Sequence, residues 1–249
     1  MNDKKDKNTF VFGIRAVIEA VISGKELEKV FVQKGLKGEL FFELQKTLRD
    51  HNVPYQVVPG EKINRIAGYR NHQGVVALLS TITYQDIEKI LPGLFESGKA
   101  PLLLVLDRIT DVRNFGAIAR TAECSGVDAI IIPSRGAAQI NSDAIKTSAG
   151  ALHKIAVCRS DNLKDTLDYF KESGLQIVSC TEKTDKLVYE ADLTLPSAII
   201  MGSEEDGISG EYLKRSDAKV KIPLMGEIAS LNVSVATGII LYEAVRQRK

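Results

Sequence analysis

The chain has 249 residues, of which 44% are hydrophobic and 26% are charged, and its formal net charge is +1 at pH 7. A chain of this size and composition can fill the core of one large domain or of two smaller ones. It contains no apolar run of roughly 20 residues, the length that a membrane span needs, and its charged start lacks the apolar stretch of a signal peptide. We therefore expect a soluble, cytoplasmic protein.

The three cysteines, Cys124, Cys158 and Cys180, are isolated from one another and form no CxxC pair. An odd number of separated cysteines indicates neither a disulfide framework nor a zinc site. We expect all three to be buried as small apolar residues, and we expect no bound metal.

Charge is distributed unevenly along the chain. Residues 1–80 contain 13 Lys and Arg against 9 Asp and Glu, whereas the rest of the chain contains 20 against 23. The first third is the better candidate for contact with phosphate groups, although an excess of this size is also common on a solvated surface. Its charged tail at residues 1–8 is predicted to be disordered.

Apolar periodicity in residues 9–80 predicts a small α/β domain. The predicted helices are Ile14–Ser23, which Gly24 ends, Glu39–Asp50 and Lys62–Ala67. The predicted strands are Val30–Gln33, Tyr55–Val58 and Val75–Leu79.

Residues 81–98 are polar and are predicted to form a linker to a second domain at residues 99–249. The apolar run Leu102–Leu106 is typical of a strand that is buried on both faces. Further strands are predicted at Ala129–Ile132, Gln176–Cys180, Ala198–Met201 and Val220–Ile222. Helical segments lie between them, so the second domain is predicted to be an α/β fold with a parallel sheet covered on both faces.

Two stretches have the outline of a phosphate-binding loop but lack its residues. Gly93–Ala100 has the Walker spacing, but Ala100 stands where a Ser or Thr would hold magnesium. Gly202–Gly207 follows a strand, but it has no lysine and carries three carboxylates. These departures argue against a kinase or an ATPase, and no GxGxxG opens a dinucleotide site.

Three other segments each follow a predicted strand, where open parallel sheets bind ligands. In the first, we expect Asn114 to cap a helix, Gly116 to allow a close approach at its start, and Arg120 to lie on its exposed N-terminal part. Taken alone, Arg120 is better explained as a solvated arginine, because arginines on helix surfaces are common.

The second and third segments are an acidic loop and a loop that leads into a helix. Gly202 and Gly207 bound the acidic loop, in which Glu204 could orient a cationic or hydroxyl-bearing group, although an ordinary surface turn has the same composition. In the third segment, Asn232 is predicted to cap a helix that runs to about Gln247. The apolar stripe of this helix includes Val233, Ala236, Ile240 and Ala244.

In this order, the three segments resemble the signature motifs of the SpoU (TrmH) family in the SPOUT superfamily of methyltransferases. The family pattern is Asn-x-Gly with an arginine four residues after the glycine, then Gly-Ser-Glu with a further glycine, then Ile-Pro, a loop glycine and Ser-Leu-Asn-Val-Ser. The matching residues are Asn114, Gly116, Arg120, Gly202, Ser203, Glu204, Gly207, Ile222, Pro223, Gly226 and residues 230–234. The resemblance covers residues 102–249, and residues 147–151 are a weaker match.

Residues 12–17 and 70–76 resemble the substrate-binding domain of bacterial ribosomal RNA guanosine-2′-O-methyltransferases, which has a ribosomal-protein-like fold. Arg15 and Arg70 are reasonable candidates for RNA phosphate contacts, and we expect His72 and Gln73 to have a structural or RNA-contacting role. Arg65 is a further candidate for a phosphate contact. A solvated surface accounts for each of these arginines nearly as well.

The resemblance implies an S-adenosylmethionine-dependent enzyme that methylates a ribose 2′-hydroxyl in RNA. A guanosine of large-subunit (23S) ribosomal RNA is the expected target. Two alternatives stay open, namely a transfer RNA methyltransferase of the same family and a non-catalytic RNA-binding protein of ribosome assembly. The family also implies a deep trefoil knot in the second domain and a homodimer.

Family resemblance assigns roles to individual residues. Arg120 is the central catalytic residue, either as a general base, which is demanding because a guanidinium stays protonated, or as the group that holds a phosphate and stabilises a developing alkoxide. The residues expected to organise the cofactor or the target nucleotide are Asn114, Glu204, Ser230 and Asn232. The residues expected to hold the cofactor are Gly202, Ile222 and Leu231 through their backbone groups, with Met201 and Met225.

Overall fold

The structure is a computed structural model that describes residues 10–249, so the predicted disordered tail lies outside the described residues. The described chain divides into two compact units between Thr83 and Tyr84. No helix within residues 10–249 combines the length and the apolar character that a membrane span requires. Each unit is described separately below.

Unit 1 is a four-stranded sheet with three helices. Its elements are β1 Phe10–Phe12, α1 Ile14–Ile22, β2 Leu27–Gln33, α2 Glu39–Asp50, β3 Tyr55–Val58, α3 Gly60–Ile66 and β4 Val75–Leu79. The strand order is β1-β4-β2-β3, in which only β2 and β3 are parallel. The predicted helices and strands are confirmed with small shifts of their ends, whereas the sequence did not predict β1.

The sheet of unit 1 has an apolar core on each face because successive side chains of a strand point to opposite sides. Val30 and Val32 of β2 pack with Val17 of α1 and Leu44 of α2. Phe31, which lies between them, belongs to a smaller cluster on the other face with Ile63 of α3.

Unit 2 is a six-stranded parallel sheet with helices on its faces. The sequence predicted a parallel sheet covered on both faces but not the edge strand at Ala156–Ser160. Its elements are α4 Ile87–Glu96, β5 Leu102–Leu106, α5 Val112–Cys124, β6 Ala129–Pro133, α6 Ser142–Thr147, β7 Ala156–Ser160, α7 Leu163–Glu172, β8 Gln176–Cys180, β9 Ser197–Met201, α8 Gly210–Arg215, β10 Ala218–Val220 and α9 Val233–Arg248. The strand order is β10-β8-β9-β5-β6-β7. The two central strands, β5 and β9, are buried along their whole length.

Three sequence predictions about unit 2 are wrong. The predicted linker at residues 81–98 contains helix α4, which Asp86 caps and whose Ile87 and Leu91 are buried in the core of unit 2. The last strand is β10 at Ala218–Val220, two residues earlier than predicted. Cys124 is exposed at the end of α5.

The other two cysteines are shielded from solvent. Cys158 is buried and Cys180 is half-buried. Burial raises the pKa of each thiol to about 12. Both thiols are therefore protonated and unreactive near neutral pH.

Candidate active site

The three motif segments of unit 2 converge on one carboxylate oxygen. Glu204 Oε1 accepts hydrogen bonds from Asn114 Nδ2 at 3.1 Å and from Asn232 Nδ2 at 2.7 Å. The backbone N–H of Val233 donates to the same oxygen at 3.3 Å, and Asn232 Nδ2 lies 3.0 Å from Asn114 Oδ1. The structure thus joins one residue from each motif in a single cluster, which we call the Glu204 cluster (Asn114, Glu204 and Asn232).

Helix capping explains how the two asparagines reach Glu204. Asn232 caps α9 as predicted, because its Oδ1 accepts from the N–H of Ser234 at 3.0 Å and leaves its Nδ2 free. Asn114 does not cap α5, contrary to the prediction. Asp111 is the cap and accepts from the N–H of Asn114 at 2.7 Å, so the Asn114 side chain in the first turn can turn toward Glu204.

The acidic loop is a closed turn that requires glycine at its first position. Ser203 and Gly207 exchange backbone hydrogen bonds of 3.2 and 3.0 Å. A Cβ atom on Gly202 would overlap the carbonyl group of Gly207 and the amide nitrogen of Ile208. Only a residue without a side chain fits there, and the turn presents the Glu204 carboxylate to the other two motifs.

A buried carboxylate anchors the far side of this loop. Asp107 follows β5, is 1% exposed, and accepts from the N–H of Ser209 at 2.7 Å and from its hydroxyl at 2.8 Å. Arg108 donates to Asp206 at 2.9 Å and to the carbonyl of Gly207 at 3.1 Å. The hydrogen bond to Asp107 raises the pKa of the Arg108 guanidinium above its ordinary value. Sequence reasoning missed both residues, although their place directly after a fully apolar strand was a usable signal.

Gly116 is required for helix packing in unit 2. A Cβ atom on Gly116 would lie 2.8 Å from Cβ of Thr147 and 2.9 Å from the carbonyl oxygen of Ala144. The close approach is therefore between α5 and α6. It involves Thr147, which begins the weaker family match at residues 147–151.

A cavity of about 470 Å³ borders the Glu204 cluster, and this volume is in the range of small-molecule sites. The predicted residues that line it are Met201, Gly202, Glu204, Ile222, Ser230 and Leu231. Met225, which was predicted to hold the cofactor, does not line the cavity and is 98% exposed.

One wall of this cavity is formed by residues that match no sequence motif. Thr181, Glu182 and Lys183 line it directly after β8, the strand next to β9. The carboxyl ends of neighbouring parallel strands meet at one edge of a sheet. The residues after β8 could therefore have been expected near the site from their position, although they match no motif.

A second cavity of about 360 Å³ shares residues 203–206 with the first. Its wall includes Arg108, Thr110, Asp111 and Asn114. Glu204 therefore lies at the boundary between the two cavities, and Asn114 lines the second one.

Arg120 stands apart from both cavities. It is the ninth of the 13 residues of α5, so the prediction that it lies on the N-terminal part of the helix is wrong. Its side chain is exposed, and it has no hydrogen bond or ion pair with any residue from 10 to 249. Arg120 lines neither cavity within one copy of the chain.

The predicted RNA-contacting residues of unit 1 differ in the contacts that they already make with other residues of the unit. Arg15 and Arg70 are exposed, and the Arg70 guanidinium lies 5.5 Å from the centre of the Phe12 ring. Arg65 forms an ion pair of 2.7 Å with Glu61. The prediction for Arg15 and Arg70 stays open, whereas Arg65 has a local partner.

His72 has two local hydrogen bonds. Its Nδ1 accepts from the N–H of Gly74 at 3.0 Å, so its Nε2 carries the proton that bonds to Asn64 Oδ1 at 2.7 Å. Both ring nitrogens are engaged, which supports the structural interpretation of this histidine. Gln73 is exposed and has a positive φ of 48°.

Among residues 10–249, no three His, Cys, Asp or Glu side chains are grouped so that they could hold a metal ion.

Comparison with known families identifies both units. Residues 101–242 match the SpoU rRNA Methylase family, and residues 10–85 match the RNA 2′-O ribose methyltransferase substrate-binding domain. The fold, the Glu204 cluster and these matches define an RNA methyltransferase architecture, and the chain belongs to the SpoU family. It is 36% identical, over 97% of both chains, to a protein of Staphylococcus aureus assigned to the TrmH family of tRNA/rRNA methyltransferases.

Solved structures agree with this assignment. The SpoU methyltransferase AviRb from Streptomyces viridochromogenes, in complex with the cofactor AdoMet, is 25% identical with a TM-score of 0.61, over 96% of this chain and 90% of that one. The TrmH/SpoU tRNA modifying enzyme of A. aeolicus is 36% identical with a TM-score of 0.55, over 65% of this chain and 84% of that one.

Proposed function

We propose that this protein methylates the ribose 2′-hydroxyl of a guanosine in large-subunit (23S) ribosomal RNA, with S-adenosylmethionine as the methyl donor. The Glu204 cluster beside the 470 Å³ cavity carries the proposal, because it joins the three SpoU motifs at one point. The match of residues 10–85 to a substrate-binding domain of RNA 2′-O ribose methyltransferases supports the choice of RNA ribose as the acceptor.

The cavity suits a small cationic nucleoside. Its lining includes the carboxylates of Glu182, Glu204, Glu205 and Asp206 and the ammonium groups of Lys183 and Lys221. This excess of negative charge complements a sulfonium ion. The cofactor supplies a methyl group that the positive sulfur has already activated. The chain therefore has to orient two reactants and assist the departure of the hydroxyl proton.

The Glu204 cluster fixes the loops around the cavity. Backbone groups near Gly202, Ile222 and Leu231 are proposed to hold the adenosine part, since all three residues line the cavity. Asn114 borders the second cavity, where its amide can meet the ribose of the target nucleotide. Ser230 lines the first cavity without a hydrogen bond to another described residue, so its hydroxyl is available to a ligand.

Arg120 is proposed to act in a homodimer. Within one copy it lines neither cavity, so a second copy has to bring its guanidinium to the reacting ribose. Exposed apolar side chains near the site support such an interface. They are Val235 and Tyr242 on α9 and Met225 and Ile228 in the preceding loop.

The decisive experiment is to map 2′-O-methyl groups in RNA from a strain that lacks this gene. We expect one ribosomal RNA guanosine to lose its methyl group and to regain it when the wild-type protein is supplied, but not Arg120→Ala. Loss at a transfer RNA position would replace the ribosomal target with the alternative substrate. An unchanged methylation map, together with no transfer in vitro, would leave a non-catalytic RNA-binding role.

A further inference from the structure

Two stretches of unit 1 contain no acidic residue. Residues 7–18 and residues 62–83 have neither Asp nor Glu, and they contain the cations Lys7, Arg15, Lys62, Arg65 and Arg70. A third such stretch, residues 29–38, carries Lys29, Lys34 and Lys37. A surface that carries the exposed Arg15 and Arg70 from the first two stretches attracts polyanions, whereas Arg65 is paired with Glu61.

The structure brings parts of these stretches together. The N–H of Gly13 donates to the carbonyl of Val75 at 3.0 Å, and Gln73 Oε1 lies 3.2 Å from the position of a Cβ on Gly13. Arg70 lies over the ring of Phe12. Residues 12–15 and 68–74 thus form one continuous surface, which we call the Tyr69 surface.

The loop of the Tyr69 surface is held in an unusual backbone conformation. Gly68, Tyr69, Gln73 and Gly74 have positive φ angles of 59°, 58°, 48° and 79°. A bulky residue such as tyrosine rarely adopts this conformation, and strained residues of this kind cluster at functional sites. The hydrogen bonds of His72 to Asn64 and Gly74 hold the loop in place.

Tyr69 itself presents its ring to solvent. It is 78% exposed, and its ring stacks on no other ring among residues 10–249. Its backbone N–H bonds to the carbonyl of Asn64 at 2.9 Å, so the exposed ring projects from a fixed backbone position. Arg70 is the next residue, and it too is exposed.

We propose that Tyr69 is a stacking platform for an unpaired RNA base, with Arg70 and Arg15 against the flanking phosphates. The inference rests on the proposed function in one respect, namely that the ligand is RNA. A base within a duplex is covered on both faces by its neighbours, whereas an unpaired base can lie on an aromatic ring. The Tyr69 surface therefore selects a loop, a bulge or a single strand of RNA rather than a regular helix.

Binding of short RNAs to the full-length protein tests this inference. The probes are a fluorescent 12-nucleotide single strand that contains one 2-aminopurine and the same strand in a blunt duplex. Tyr69→Asn removes the ring and keeps a residue type that tolerates positive φ, and Tyr69→Phe keeps the ring. Phe42→Ala is the matched control, because Phe42 is 65% exposed on α2, outside the Tyr69 surface.

We expect the wild type and Tyr69→Phe to prefer the single strand and to quench 2-aminopurine. Tyr69→Asn should bind the single strand at least about fivefold more weakly, which is the lower end of the range for loss of one stacked base. Its binding to the duplex should not change, and Phe42→Ala should match the wild type. Equal single-strand binding by Tyr69→Asn, or a wild-type preference for the duplex, would overturn the inference.

Failure of this inference can be told apart from failure of the proposed function. A protein that methylates RNA but binds it independently of Tyr69 would refute only the stacking role. A protein that binds single strands through Tyr69 but transfers no methyl group would refute only the enzymatic role. Cofactor binding, measured by calorimetry on Tyr69→Asn, should equal that of the wild type in either case.

Discussion

The two units build their candidate sites in opposite ways. The loop that carries Tyr69 in unit 1 is held locally, because His72 bonds to Asn64 only eight residues away and to Gly74 two residues away. The Glu204 cluster of unit 2 joins side chains that are 90 and 118 residues apart along the chain. The conformation of the Tyr69 loop is thus fixed by near neighbours in sequence, whereas the candidate catalytic site depends on the order of strands in the parallel sheet.

This contrast predicts different responses to substitution. Each exposed residue of the Tyr69 surface should contribute separately to RNA affinity, because few of them share a partner. Residues of the Glu204 cluster share one carboxylate oxygen, so a change in any of them disturbs the other two. The following experiments test the two halves of the comparison, from the largest expected effect to the smallest.

Arg120→Ala should lower the single-turnover rate of methyl transfer by at least ~10², as expected for a positioned catalytic group. Cofactor affinity should change little, since Arg120 lines neither cavity of its own chain. Arg120→Lys should rescue poorly, because an ammonium lacks the planar fork of the guanidinium. Arg113→Ala, at an exposed arginine of the same helix, is the control. Near-normal turnover of Arg120→Ala would remove its catalytic role.

A chain that begins at Tyr84 should bind the cofactor normally but bind RNA at least about tenfold more weakly than the full chain, the loss expected when several phosphate contacts disappear together. This start point keeps α4, whose Ile87 and Leu91 belong to the core of unit 2. Calorimetry and fluorescence anisotropy measure the two affinities. A chain that begins at residue 99 lacks α4 and should fold poorly. Full methylation of the natural RNA by the Tyr84 chain would contradict the division of roles between the units.

Gly202→Ala should destabilise unit 2 by about 1–3 kcal/mol and weaken cofactor binding, because its Cβ would overlap the backbone at Gly207. Gly226→Ala is the matched control, since a Cβ there has nothing within 4 Å. Urea denaturation and calorimetry measure the two effects. If both variants behaved alike, the closed acidic loop would not be what shapes the cavity.

The smallest effect concerns Glu243 of α9, which is buried. Hydrogen bonds from Arg246, and secondarily from Gln247, lower the pKa of Glu243 from 4.5 to about 2. A carboxyl whose folded-state pKa is depressed stabilises the fold above its unfolded pKa and loses that contribution as the pH falls through its folded pKa.

Glu243→Gln should therefore reduce the free energy of unfolding by only about 1 kcal/mol at pH 7, because solvent screens the ion pair at the largely exposed Arg246. The difference from the wild type should shrink between pH 4.5 and about pH 2. Glu96→Gln, at an exposed glutamate of α4, makes the same change of charge without an ion pair and should show no such trend. A difference that is constant with pH would point to packing instead.

Sequence patterns predicted most of the fold because apolar periodicity is a local property. Strands β5 and β9 are uninterrupted apolar runs, and they lie at the centre of the sheet as such runs should. Helix α4 was missed because Pro92 and Gly93 interrupt its pattern, yet its burial against unit 2 outweighs their low helix propensity. Strand β1 was missed because three residues are too few to show a period.

The sequence predicted those site residues that belong to a motif. It did not predict the residues whose only signal was their position at the end of a strand. Motif residues Asn114, Glu204 and Asn232 were named from the sequence, but their shared hydrogen bonds depend on strand order, which periodicity does not encode. Thr181 and Lys183 line the cavity only because β8 lies beside β9. The implied trefoil knot stays a prediction.

The separation of the Glu204 cluster along the chain sets an order of events during synthesis. At about 5–20 residues per second, Asn232 is added roughly 6 to 24 seconds after Asn114, from which it is 118 residues distant. Asn114 lacks both side-chain partners until Glu204 is added 90 residues later, and the wall of the cavity formed by residues 222–236 is complete only after Ala236 is added. Unit 1 ends at Thr83 and has every residue of the Tyr69 surface long before then. On the proposed roles of the two units, a nascent chain therefore has its RNA-contacting residues before its methyl-donor site is complete.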